Sequence, residues 1–165
     1  MNKHIEAIRG GIKGEMDSIN LYQGAHDAAT DEQVKSFFAD RVAEEKRHYN
    51  YLVKHMQLLK DGLPLLKLLE SIPHTDEAVS EMISDEFCQR IAGNQILFSA
   101  ISTAVLLEKN AIDYYHRQSQ EVDDPILREF FTLMEQWEKQ HYDDVLAIMK
   151  QSEEAYWRIN RFEPF

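Results

Sequence analysis

The stretch Glu138-Lys139-Gln140-His141 repeats, at an offset of 93 residues, the stretch Glu45-Lys46-Arg47-His48. On a helix, a carboxylate and an imidazole three residues apart share one face about one turn apart, so both can reach a single metal ion. One Glu-x-x-His carries little information in a chain rich in glutamate. Two copies in matching surroundings carry much more. Thirty residues before each pair stands another glutamate, Glu15 and Glu108, and the same offset carries Tyr22 onto Tyr115, Asp31 onto Asp124, Phe37-Phe38 onto Phe130-Phe131 and Tyr49 onto Tyr142. The chain reads as a duplicated helical hairpin, each copy presenting one lone glutamate from its first helix and a Glu-x-x-His from its second. Four such helices make a bundle whose core can hold a carboxylate-bridged pair of metal ions.

Composition agrees with an internal use for the acidic residues. The 165 residues are of single-domain size, and one domain over 1–165 is expected. With 18 basic and 29 acidic residues the net charge is −11, which argues against nucleic acid or an anionic membrane as the main partner. Part of that excess has an internal explanation, since four glutamates facing a bundle core repel one another unless cations neutralise them. The single cysteine, Cys88, excludes an internal disulfide and a Cys-x-x-Cys metal knuckle, and suits a reducing compartment. The first residues lack an apolar signal core, and the longest nearly apolar run, Ile96 to Leu107, is too short to span a bilayer. A cytoplasmic location with no membrane partner is expected.

Apolar spacing predicts a first helix over about 3–28, with Ile5, Ile8, Ile12, Glu15, Ile19 and Tyr22 in one a/d stripe. Gly10, Gly11 and Gly14 within it signal either close helix contact or fraying of the first turns. A second helix starts after Thr30 or Asp31, with Gln33 placed to close a capping box with Thr30. Its stripe, Val34, Phe38, Arg41, Glu45, His48, Leu52, His55 and Leu59, is polar enough to require something inside the bundle. His55 lies about 10 Å further along the axis than His48, too far to share its ion, and reads as a hydrogen-bonded bundle histidine. Arg41 reads as a charge partner, and Glu44, off the stripe, as solvent-exposed. From about 60 to 93, Gly62, Pro64 and Pro73 break the pattern into a crossover, with short helical turns at Asp76 to Ile83 and Asp85 to Ile91. Such a crossover either lays the second hairpin beside the first or exchanges hairpins between two subunits.

A third long helix over about 94–119 carries Phe98, Ile101, Val105, Glu108, Ile112 and Tyr115 on one face. A lone carboxylate on so apolar a face needs a partner. Asp113 and His116 fall on its surface side. Asp124 caps the fourth helix and Pro125 opens it; Leu127, Phe131, Met134, Glu138, His141, Val145 and Ile148 point inward, and Glu135 outward. A tail over 151–165 carries Tyr156, Trp157, Ile159, Phe162 and Phe165, aromatic enough to pack on the bundle or on a neighbouring subunit.

The segments Glu15-Met16-Asp17-Ser18-Ile19-Asn20-Leu21-Tyr22, Glu44-Glu45-Lys46-Arg47-His48, Glu108-Lys109-Asn110-Ala111-Ile112-Asp113-Tyr114-Tyr115 and Glu138-Lys139-Gln140-His141 resemble, in that order and over roughly Ile5 to Lys150, the rubrerythrin branch of the ferritin-like superfamily. The resemblance implies an all-α, ferritin-like four-helix bundle of two hairpins joined by a long crossover, holding two iron ions, with manganese or zinc as substitutes. It implies Glu15 and Glu108 as terminal ligands, Glu45 and Glu138 as bridging carboxylates, and His48 and His141 as one imidazole per metal. Tyr22 and Tyr115 look like the family's tyrosines just outside the ligands.

The chain departs from the family pattern in two places. With one cysteine it cannot contain the family's Cys-rich rubredoxin domain, so electrons are expected from an external donor, rubredoxin-like or a flavoprotein. Ala111 stands where the family usually places an extra carboxylate, which leaves six ligands arranged symmetrically, similar to the bacterioferritin site. Lys46 occupies the position of the haem-binding methionine of bacterioferritins, so no haem is expected. The expected function is a di-iron oxidoreductase that reduces peroxide or dioxygen, as a homodimer or larger homo-oligomer. Oxidation of ferrous iron for storage or transfer is the alternative, and a metal-free structural bundle is a third reading.

Overall fold

A computed structural model describes residues 3–66 and 83–161, and among these the chain is all-helical. The helices are α1 (Lys3–Ala28), α2 (Glu32–Lys60), α3 (Asp85–Ala92), α4 (Gln95–Glu121) and α5 (Pro125–Asn160). The internal repeat is visible in their boundaries. An offset of 93 carries Lys3–Ala28 onto 96–121, within a residue of α4, and carries Glu32 onto Pro125, the first residue of α5. α1 pairs with α2 and α4 with α5, and the two hairpins meet where α1 packs on α4. α3 lies against α5 and meets α4 at 105° across Gly93 and Asn94. No single helix among the described residues is long and apolar enough to cross a membrane.

The two Glu-x-x-His helices begin with the same device. The Asp31 carboxylate accepts from the Gln33 and Val34 amides at 3.0 and 3.1 Å, and Asp124 accepts from Ile126 and Leu127 at 2.8 and 3.0 Å, which satisfies donors that a helix start leaves free. With Asp31 as the cap, the third helical position is Val34, so the capping box expected between Thr30 and Gln33 does not form. Gln33 instead accepts from Arg90 of α3 at 3.3 Å. The helix at Asp85–Ala92 realises the second short turn expected in the crossover. The first, at 76–83, lies outside the described residues except for Ile83, which is not helical. The segment after 150 is not a separate tail: α5 runs on to Asn160, buries Ser152 and Ala155, and stacks Tyr156 on Phe98 at 5.9 Å. Phe162 and Phe165 lie outside the described residues.

Two apolar clusters fill the bundle. One gathers Tyr22, Phe37, Phe38, Phe87, Ile101 and Val145, and the other Ile8, Leu52, Tyr115, Phe130, Phe131 and Trp137. The inward line of α1 runs through Ile8, Gly11, Glu15, Ser18 and Tyr22, with Ile12 and Ile19 only half-buried. The buried line keeps the 3.5-residue spacing and shares Ile8, Glu15 and Tyr22 with the expected stripe, but is turned slightly, so that Gly11 and Ser18 take the places of Ile12 and Ile19. Gly11 on that line and Gly10 beside it let α4 come close. A Cβ on Gly10 would stand 2.1 Å from Tyr114 Oη, which donates to the Ala7 carbonyl at 2.6 Å. Close contact, not fraying, accounts for this glycine.

The two ends of the glycine run should therefore respond oppositely to substitution. Gly10→Ala should destabilise the chain by about 1–3 kcal/mol through overpacking against Tyr114. Gly14→Ala, whose Cβ meets nothing within 4 Å, should stabilise it by up to about 1 kcal/mol through helix propensity. Urea unfolding of both variants checks this, and destabilisation by both would contradict it.

Candidate metal centre

Each long helix delivers its predicted residue to one place. Glu15 of α1, Glu45 and His48 of α2, Glu108 of α4, and Glu138 and His141 of α5 are all buried, none more than 3% exposed. Their side-chain donors form two overlapping groups, Glu15, Glu45, His48 and Glu138 in one and Glu45, Glu108, Glu138 and His141 in the other, with the donor atoms of each group within 4.8 Å of one another. Glu45 and Glu138 belong to both groups. They stand where bridging carboxylates would stand.

The donor atoms are arranged as ligands rather than as hydrogen-bond partners. His48 Nδ1 lies 3.3 Å from Glu45 Oε2, 3.4 Å from Glu138 Oε1 and 3.5 Å from Glu15 Oε2, and none of these contacts is a hydrogen bond. His141 Nδ1 lies 3.1 Å from Glu45 Oε1 and 3.7 Å from Glu138 Oε2. Both oxygens of Glu45, Oε2 of Glu108 and Oε1 of Glu138 are buried without a hydrogen-bond partner. Buried polar atoms are normally satisfied. Atoms bound about 2.0–2.2 Å from a common ion would lie roughly 3.0–3.5 Å from one another. A divalent ion in each group fits that spacing, and carboxylate with imidazole and no thiolate is a donor set for iron, manganese or zinc.

Without an ion, protons have to balance the charges. Burial, with the Glu138 charge next, raises Glu15 well above the usual carboxylate range, and burial with the Glu45 charge does the same to Glu108. Burial also acts to raise Glu45 and Glu138, but the imidazoles outweigh it and hold both below that range. At His48 and His141 burial opposes the charged ring, yet the carboxylates around each push both well above the ordinary histidine range, Glu138 foremost at His48 and Glu45 at His141. In the metal-free centre the shifts thus favour protons on Glu15 and Glu108 at its ends and on the two imidazoles, and charge on Glu45 and Glu138 between them.

The tyrosines pair across the bundle. Tyr22 Oη of α1 donates to Glu108 Oε1 of α4, and Tyr115 Oη of α4 donates to Glu15 Oε1 of α1. His55 takes the structural role expected of it, with Nδ1 2.9 Å from the Tyr51 carbonyl and Nε2 3.1 Å from the Leu66 carbonyl. Glu135 joins neither group; it is partly buried and pairs with His116 at 3.1 Å and Lys139 at 2.6 Å.

Glu44 is the correction. It is not exposed: only 4% of its surface is accessible, and it lies 2.9 Å from Arg41 Nη2 and 3.3 Å from His141 Nε2. Arg41 is buried with it and reaches Asp144 of α5 at 3.7 Å. The signal for this was the i, i+3 spacing of Arg41 and Glu44, which places a paired carboxylate on the inward flank of the stripe. Trp137 was missed as well; its ring stacks on His48 with centroids 5.0 Å apart. Comparison with known protein families, curated proteins and solved structures returns no match.

Since Glu45 belongs to both groups, Glu45→Ala should lose both ions, whereas Glu15→Ala should lose at most one. Elemental analysis after anaerobic reconstitution decides it, and full metal content in Glu45→Ala would contradict the bridging role.

The pH dependence follows from the raised groups. Glu15, Glu108, His48 and His141 hold protons more firmly folded than unfolded, so their contribution is complete below the unfolded values, about 4.3 and 6.5, and is lost as pH rises through the folded ones. Glu45 and Glu138, held low, act in the opposite sense and only on the acid side. Metal-free protein should lose melting temperature as pH rises above about 6.5. The increment from added metal should grow over the same range, because ligands bind deprotonated. Thermal scans with chelator and with manganese(II) test this; an increment independent of pH would contradict it.

Proposed function

We propose that the chain is a non-haem di-iron oxidoreductase of the rubrerythrin-like type, a ferritin-like bundle that reduces peroxide, or dioxygen, with electrons from an external donor. The observation that carries the reading is the sharing of Glu45 and Glu138 between two buried Glu/His groups. Bound iron would supply the redox chemistry, giving electrons to the oxidant and recovering them from the donor.

The chain's own residues supply position, exclusion of water and protons. Tyr22 and Tyr115 each bind one oxygen, Oε1, of a terminal carboxylate and leave Oε2 to the centre. Burial, and then the charge of the neighbouring carboxylate, raises both phenols well above their usual range, so each keeps its proton beside the site. Reducing hydrogen peroxide to two waters takes two electrons and two protons, and proton-bearing hydroxyls held against Glu15 and Glu108 support that reading.

Access is on the α1–α4 side. A cleft of about 260 Å³ lined by Gly10, Gly11, Gly14, Ser18, Ala111 and Tyr115 reaches the tyrosine whose hydroxyl touches Glu15. That volume suits a small oxidant. Ala111, at the position where the family's extra carboxylate would stand, lines this cleft and keeps it open.

Iron-loaded, anaerobically reduced protein should be oxidised faster by hydrogen peroxide than by dioxygen at equal concentration, and Ala111→Glu should change that ratio more than it changes metal affinity. Stopped-flow mixing with each oxidant measures it. Faster oxidation by dioxygen, with iron accumulating well beyond two ions per chain, would favour ferrous iron oxidation for storage instead.

A further inference from the structure

We infer that the two halves of the centre are inequivalent, and that Glu44 positions His141 so that the His141 half binds its ion more tightly and fills first. The inference rests on the metal reading of the site. It comes from where the internal repeat fails. An offset of 93 preserves all six ligands and both tyrosines, but it carries Glu44 onto Trp137, Arg41 onto Met134 and Tyr51 onto Asp144. These exchanges fall beside the two imidazoles.

Behind His141 stands a charged network. Its Nδ1 faces the ligand group, 3.1 Å from Glu45, and its Nε2 faces Glu44 Oε2 at 3.3 Å. Glu44 is held from behind by Arg41 at 2.9 Å and Arg47 at 3.8 Å, and Arg41 by Asp144 at 3.7 Å. The side chains of Arg41 and Glu44 are each 5% exposed, so water does little to loosen the set.

Behind His48 the surroundings are aromatic. Trp137 lies parallel to its ring, with planes 8° apart. The carboxylates that pair with His48 are Glu15, Glu45 and Glu138, all reached through Nδ1 and all ligands themselves. No further acid backs this ring among the described residues.

The consequence is a difference in ligand strength. A carboxylate that accepts from the remote N–H of a ligating imidazole fixes the ring and makes it a stronger donor, and losing such a partner costs about 10–100-fold in metal affinity. A stacked indole restrains the ring without that effect. Arg41 offsets part of the Glu44 charge, but Asp144 in turn offsets Arg41, and the 3.3 Å ion-pair contact still places the Glu44 carboxylate where a ligating His141 would present its remote N–H.

Zinc(II), which is redox-inert, is the probe. Titrated calorimetrically into the metal-free full chain, it should bind in two resolved steps. With one equivalent added, the imidazole ¹⁵N resonances of His141 should move before those of His48. Glu44→Gln, with an unchanged circular dichroism spectrum, should weaken the first step about 10–100-fold and leave the second within about twofold, while Trp137→Phe should leave the first step unchanged. A merely structural role for Glu44 would weaken both steps together, which overturns the inference. Two equal steps in the wild-type protein, or His48 responding first, overturn it without any variant and leave the metal reading standing. Absence of zinc binding overturns both.

Discussion

Four carboxylates and two imidazoles buried between two apolar clusters set the terms for the rest of the molecule. At a separation of about 4 Å, two like charges repel by roughly 4 kcal/mol even at a generous effective dielectric. In the metal-free chain the burden shifts toward protons, with Glu15 and Glu108 raised by burial, His48 and His141 raised by the carboxylates around them, and Glu45 and Glu138 held low. Divalent ions would meet it better, because they would satisfy the oxygens of Glu45, Glu108 and Glu138 that no hydrogen bond reaches. The site is thus costly to build empty, and its two groups could each hold an ion.

That arrangement needs rigid supports, and the two sides of the bundle supply them differently. On the α1–α4 side glycine brings the helices together, so that Tyr114 spans to the Ala7 carbonyl and Tyr22 and Tyr115 cross to the opposite glutamates. On the α2–α5 side large residues fill the space, with Tyr51 stacked on Phe130 at 4.4 Å, Trp137 on His48, and Arg41 reaching toward Asp144. The narrow side carries the cleft and the phenolic protons. The wide side carries Glu44 and Trp137, the groups in contact with the imidazoles. The cleft and the charged network around Glu44 therefore lie on different sides of the Glu/His groups.

The internal repeat explains why the ligand set is balanced, and its failures explain why the surroundings are not. Glu45 and Glu138, His48 and His141, and Glu15 and Glu108 are counterparts, and so are the aspartate caps of α2 and α5. Glu44 and Trp137 break the equivalence at the positions that touch the imidazole rings. A repeated set of six donors thus sits within surroundings that are not repeated.

How much was legible in the sequence depends on the range of the interaction. The four long helices, the six donors and the two tyrosines could be read because three- and four-residue spacings translate directly into one helix face, and because each was written twice. What each tyrosine touches could not be read. Tyr22 is seven residues, about 10 Å, from Glu15 on its own helix, and only the approach of α4 gives it Glu108. The extension of α5 past 150 likewise depends on packing, since Ser152 and Ala155 are buried and Tyr156 stacks on Phe98, distant in the chain. Glu44 is the clearest case. A helix packed on more than one neighbour has an inward arc wider than an a/d stripe, so its rotation against α5 decides which flanking residue is buried. The sequence by itself determined which atoms can bind a metal; only the tertiary structure decided what stands behind them, because that depends on helix rotation and approach, which no spacing along one helix encodes.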